Sequence, residues 1–125
     1  ANAMYLPKVI KYNAKNEEAA ERYAQIADHI GLGGTTTTEK VDALIAELRS
    51  MNDQLDIPQA IKFYGAGGVK AETSIIDEAE FLEKLPTVAA NAIGDACTGS
   101  NPRQPSQEEM EKLLKACYYD LEIDF

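Results

Sequence analysis

Apolar residues at Val41, Leu44, Ile45, Leu48, Met51 and Leu55 constrain the chain more than any other feature. Their spacing of i, i+3, i+4 and i+7 repeats the turn of an α-helix and conflicts with the two-residue alternation of a half-buried strand. It predicts a helix over Glu39–Leu55 with one face in a core. The same period recurs along the chain. Tyr5, Leu6, Val9, Ile10 and Tyr12 predict a helix over residues 1–13, with Pro7 near one end or at a kink. Ala19, Tyr23, Ile26, Ala27 and Ile30 form one stripe of a helix over Glu17–Ile30, which Gly31 closes. Asp77 caps a following helix, with Glu80 completing a capping box and Phe81, Leu82 and Leu85 on its buried face. Pro86 fits the first turn of a further helix, Thr87–Ala96, with Val88, Ala89, Ala92 and Ile93 inward. Ser106 and Glu109 form a second box at the head of Gln107–Tyr119, whose inner stripe is Met110, Leu113, Leu114 and Cys117. Gln59–Tyr64 has room for one or two helical turns after Ile57-Pro58. No segment reads as a strand. The expected fold is therefore all-α, a helical bundle of six or seven helices forming one domain over residues 1–125.

Composition narrows the function classes. An apolar fraction of 45% fits a folded chain. A formal charge of −9 argues against nucleic acid or an anionic membrane as partner. No apolar run reaches the length of a membrane span and no signal peptide is visible, so the expected compartment is the cytoplasm. Cys97 and Cys117 lie outside any Cys-x-x-Cys motif and near no histidine pair, which predicts two reduced, largely buried thiols rather than a disulfide or a zinc site. His29 is the only histidine. It stands beside an apolar stripe at a helix end and reads as structural or solvated, not as a ligand. Gly33–Thr38 is a loop in which Thr36 or Thr38 caps the next helix. Gly65-Ala66-Gly67-Gly68 lacks the spacing of a nucleotide-binding loop, and Lys70 is not followed by Ser or Thr. Gly65–Ile76 therefore reads as an exposed link. Asp120–Phe125 is an acidic, apolar tail that either docks or frays.

The chemistry concentrates between Asp95 and Pro105, where a thiol, a hydroxyl, an amide and a guanidinium fall within a few residues. Gly99 permits positive φ, and Asn101-Pro102 disfavours helix at the residue before the proline. Two readings stand. In one, the stretch is a rigid corner in which Cys97 fills a gap and Arg103 ties down carbonyls. In the other, the corner lines a pocket.

Asp95-Ala96-Cys97-Thr98 followed by Asn101-Pro102-Arg103 resembles the C-terminal signature of the iron-containing alcohol dehydrogenases. Leu6-Pro7-x-Val9-Ile10-x-Tyr12-Asn13, Ile26-Ala27-Asp28-x-x-Gly31 and the run from Phe81 to Arg103 are similar to the same family. Ala1-Asn2-Ala3 fits its His-Gly-x-Ala-Asn-Ala segment, although Ala1–Met4 also reads as a tag remnant before an initiator methionine. The link Gly65–Ile76 matches least. The resemblance implies a dehydroquinate synthase-like C-terminal helical domain, the last portion of a two-domain enzyme whose N-terminal domain binds NAD(P). It implies Fe²⁺ or Zn²⁺ held by one Asp and three His, all expected upstream of Ala1, so this chain alone is expected to hold no metal, cofactor or catalytic residue. The implied reaction interconverts a small alcohol and its aldehyde, in a stand-alone homo-oligomer or in a bifunctional aldehyde–alcohol dehydrogenase. Within this chain the resemblance assigns Cys97 to the substrate pocket, with Thr98, Asn101 and Arg103 supporting the corner.

Two other classes stay open on the sequence. One is a free-standing helical interaction module without catalysis. The other is a thiol-redox protein built on Cys97, against which stands the lack of a basic residue or second cysteine beside it.

Overall fold

A computed structural model describes residues 2–125; Ala1, and with it the start of the first predicted helix, lies outside them. Five α-helices follow in order: α1 (Asn2–Asn13), α2 (Glu17–His29), α3 (Thr37–Gln54), α4 (Glu78–Gly94) and α5 (Gln107–Tyr119). Three single 3-10 turns, at Ile61–Phe63, Ala66–Gly68 and Thr98–Ser100, complete the set. Among the described residues there is no strand, only an isolated bridge between Tyr64 and Lys70. The all-α expectation holds, with five helices where six or seven were counted.

The miscount lies at Pro86. A proline in the first turn of a helix leaves no hydrogen bond unmade, which is why the sequence suggests a new start there. Instead Pro86 sits inside one continuous 17-residue helix. It cannot donate to the Leu82 carbonyl four residues back. Leu82 itself is exposed, on the outer side of α4. Pro7 presents the same difficulty inside α1, where the deprived carbonyl is that of Ala3. There the protein supplies a substitute: Asn52, buried on α3, donates Nδ2–H to the Ala3 oxygen at 2.9 Å.

The helix ends follow local chemistry. Asn16, Thr36, Asp77 and Ser106 each accept a backbone N–H from the residue three positions on. Only Ser106 completes a reciprocal box, with the Ser106 N–H donated to Glu109 at 3.1 Å. At Asp77 the box is half made, because Glu80 turns to Lys84 at 2.7 Å. Gly31, at φ +75°, ends α2 while the Leu32 N–H reaches back to the Ala27 carbonyl. Asp56 ends α3 in the same left-handed conformation, with the Ile57 N–H on the Asn52 carbonyl at 2.8 Å.

Helix α1 lies at the centre, against α2, α3 and α5, and α4 packs on α5. Ala20 and Ala27 of α2 meet Val41 and Leu44 of α3 together with Ile10 of α1. The small side chains let those helices approach closely. A second cluster joins Tyr12, Ala89, Met110, Leu113 and Ala116, and a third joins Met4, Ile61, Cys117 and Tyr118. Several stripe residues expected in the core are open instead: Ile26, Ile30, Met51, Leu55, Leu82 and Val88. The link Gly65–Ile76 is exposed over much of its length, but Gly65 itself is buried against Ala71 and Val69. The tail Asp120–Phe125 docks, with Ile123 in the second cluster.

Candidate functional site: the corner beside an apolar cleft

Asp95 ends α4 and its carboxylate accepts the Cys97 N–H at 2.8 Å, which turns the chain sharply away from the helix. Thr98 donates its hydroxyl to the Ala92 carbonyl and so ties the turn back to α4. Ser100 bonds the Cys97 carbonyl at 2.8 Å. Gln104 donates to the carbonyls of Thr98 and Asn101 from the other side. Gly99, credited above with a positive φ, has none; the 3-10 turn Thr98–Ser100 changes direction within ordinary backbone space.

Two side chains lock this corner to α1. Asn101 and Asn13 exchange amide hydrogen bonds at 2.8 and 3.0 Å, and Asn13 is buried. Arg103 donates Nη1–H to the Tyr12 carbonyl at 3.0 Å and to the Phe125 carbonyl at 2.7 Å. Its Nη2 pairs with Glu109 at 3.1 Å while the guanidinium lies 4.0 Å over the Tyr12 ring. Thr98, Asn101 and Arg103 thus converge on one rigid turn. Asn13, the buried partner of Asn101, is the residue that sequence reasoning passed over; its signal was a polar residue at the close of an apolar stripe.

Cys97 stands at the apex of that turn, exposed rather than buried as the composition suggested. It opens on a cleft of about 670 Å³ between α1, α4 and α5. Tyr5, Val9, Val88, Met110, Leu113 and Leu114 supply most of the wall, and Cys117 also borders it. Burial pushes the Cys117 thiol up to about 11, with Lys8 opposing and Asp120 reinforcing. Such a thiol stays neutral near neutral pH and behaves as a small apolar group. The Tyr12 hydroxyl is buried at the same corner and has no hydrogen-bond partner among the described residues. Burial raises its pKa, Arg103 lowers it and Glu109 raises it again. This wall can enclose an alkyl group and offers little for acid–base work.

The glycine run holds no phosphate cradle. The Gly65 N–H goes to the Val69 carbonyl and the Gly68 N–H to the Gly65 carbonyl, so both donors are used internally. Among the described residues no three His, Cys, Asp or Glu side chains converge to hold a metal ion. The donors present do not fit an iron centre, and His29 is exposed at the end of α2. No helix among the described residues is long and apolar enough to cross a membrane.

The corner is thus a polar turn set against an apolar cleft on a helical bundle. The chain belongs to the Fe-containing alcohol dehydrogenase family: the model described as "Fe-containing alcohol dehydrogenase family, C-terminal" matches residues 1–118. The chain is 46% identical over 125 residues to an NADPH-dependent butanol dehydrogenase of Clostridium saccharobutylicum, covering 100% of this chain and 29% of that protein. It is 34% identical over 134 residues to the bifunctional aldehyde–alcohol dehydrogenase AdhE of Escherichia coli, covering 95% and 14%. It is also 34% identical over 119 residues to an alcohol dehydrogenase of Thermococcus barophilus, covering 95% and 27%. The chain therefore spans less than a third of the length of these relatives.

Proposed function

We propose that the chain is the C-terminal helical portion of an iron-dependent, NAD(P)-linked alcohol dehydrogenase interconverting a primary alcohol and its aldehyde, and that Cys97 forms part of its substrate wall. The observation that carries this reading is the placement of Cys97: it is exposed, set in a hydrogen-bonded turn, and bordered by an apolar cleft. A thiol, small and weakly polar, among Val9, Val88 and Leu114 contacts an alkyl group without stranding a strongly polar atom. Thr98, Asn101 and Arg103 keep the thiol in place.

In this reading the iron or zinc ligands and the NAD(P) site lie upstream of Ala1, and no metal, cofactor or catalytic residue is assigned to this chain. Its partners are the N-terminal nucleotide-binding domain of the same polypeptide, a small alcohol or aldehyde, and further copies of the enzyme, in the cytoplasm. Similarity to an NADPH-dependent butanol dehydrogenase supports a nicotinamide-linked reaction on an alcohol. The test compares the 125-residue chain with the longer polypeptide, each loaded with Fe²⁺ or Zn²⁺ and given NAD⁺ or NADP⁺ with a series of primary alcohols. The longer polypeptide is expected to reduce the nucleotide and the chain alone to do nothing. Turnover by the chain alone, or none by the longer polypeptide, contradicts the proposal.

A second reading, a free-standing helical interaction module, draws on the exposed Leu6, Ile75, Leu82 and Val88. It predicts that the isolated chain remains a stable monomer, whereas the dehydrogenase reading predicts self-association on size-exclusion chromatography.

A further inference from the structure

The family match ends at residue 118, yet the irregular segment that follows α5, Asp120–Phe125, is anchored along its length. Asp120 turns the chain back from α5 with φ +60°, and its carboxylate is held by both nitrogens of the Arg49 fork at 2.9 and 2.8 Å and by Lys8 at 2.8 Å. The backbone then runs along α1. The Leu121 carbonyl accepts Lys8 at 2.7 Å, Ile123 is buried, and the Asp124 carbonyl accepts Lys15 at 3.2 Å. At the far end, the Phe125 carbonyl accepts Arg103 at 2.7 Å, and the Phe125 ring lies 5.9 Å from that of Tyr12.

We propose that Asp120–Phe125 is a strap whose terminal residue, Phe125, positions the Cys97 corner through Arg103. The connection can be followed atom by atom. Arg103 touches no cleft surface itself; its fork has three acceptors, on α1 (Tyr12), on α5 (Glu109) and on the strap (Phe125). Its own carbonyl accepts Asn101 Nδ2–H, and the Asn101 N–H closes the 3-10 turn at Thr98, next to Cys97. Without Phe125, Nη1 keeps only the Tyr12 carbonyl, and the Tyr12 ring beneath the guanidinium loses its aromatic neighbour. Two of the contacts that hold the turn against α1 then weaken together. Arg103 and Phe125 are positioning residues for Cys97, and the tail sets how firmly the substrate wall is held. That catalytic consequence rests on the dehydrogenase reading; the mechanical link does not.

Hydrogen exchange by mass spectrometry on the 125-residue chain tests the link without reading activity. Deleting Phe125 is expected to speed exchange at the Thr98, Ser100 and Asn101 amides about tenfold, the size of effect that losing one charge-assisted hydrogen bond has on a local opening. Exchange in α2 and α3 should not change. Arg103→Lys, which cannot reach all three acceptors at once, should give the same local pattern, and Phe125→Tyr, which keeps ring and carbonyl, should restore the parental rates. No change at the corner, or equal acceleration across every helix, overturns the strap. Failure of the dehydrogenase assay would leave these exchange rates as expected, so the two readings fail separately.

Discussion

The Asp120 carboxylate offers the sharpest test of the energetics. The hydrogen bonds from Arg49 are the largest influence on it, burial opposes them, and Lys8 adds to the lowering, so that it titrates at about 2 instead of 3.8. A displacement of that size corresponds to about 2.4 kcal/mol. The side chain is 30% exposed, and solvent screening reduces the expected contribution to about 1–1.5 kcal/mol. Because the folded value is depressed, this stability is fully present above the unfolded value and is lost as pH falls from about 4 towards 2. Asp120→Asn is the appropriate perturbation, since Asn tolerates the left-handed backbone of this position as well as Asp does. It removes the charge and one acceptor oxygen, so that Lys8, whose side chain is 9% exposed, faces the Leu121 carbonyl and a neutral amide oxygen instead of a carboxylate. For a domain of this size the melting temperature near neutral pH should fall by about 5 °C. Thermal melts followed by circular dichroism, run for parent and variant from neutral to acid pH, make the measurement. The two curves should converge between about pH 4 and pH 2. Superimposed melts at neutral pH, or a gap that persists undiminished into acid, would refute the argument.

Ser106→Ala should cost about 1 kcal/mol, read from urea denaturation, because the hydroxyl that accepts the Glu109 N–H is lost while the backbone N–H of residue 106 still reaches the Glu109 carboxylate. Asn52→Ala should cost about 1–3 kcal/mol in the same assay, since it strips the Ala3 carbonyl of the donor that replaces the missing Pro7 N–H. Iodoacetamide at mildly alkaline pH should label Cys97, which is exposed, and spare Cys117, which is buried with its thiol pushed up to about 11; peptide mapping locates the label, and equal labelling would show that the Cys117 side of the cleft opens readily.

Periodicity made the helices legible because it reports which faces are apolar, and α3 and α5 run close to their expected bounds. It could not say whether a proline starts a helix or interrupts one, since both begin with an apolar, well-formed turn. The difference at Pro86 lies in tertiary packing that lets α4 run through it. Nor could it foresee Asn52, whose partner is a carbonyl 49 residues away. At the corner, Thr98, Asn101 and Arg103, which the motif groups together, all hydrogen-bond within one turn. The contributions of Asn13 and Phe125 are long-range hydrogen bonds, which leave no trace in local spacing, and Glu109, six residues from Arg103, was legible only as half of a capping box. Cys97 follows an apolar stripe and so looks buried; its exposure arises because the Asp95 carboxylate takes the Cys97 N–H and bends the chain off the helix axis.

The central claim is that the Cys97 thiol touches the alkyl portion of an alcohol. Its most direct measurement is the kcat/KM of the longer enzyme for a series of primary alcohols of increasing chain length, with and without Cys97→Val. A branched side chain at this wall should change the ratio between short and long alcohols by up to about tenfold, the scale of one methyl group in an apolar pocket, while the KM for the nicotinamide nucleotide stays fixed. If every alcohol kept its parental kcat/KM, Cys97 would be no part of the substrate wall and the corner would be structural alone.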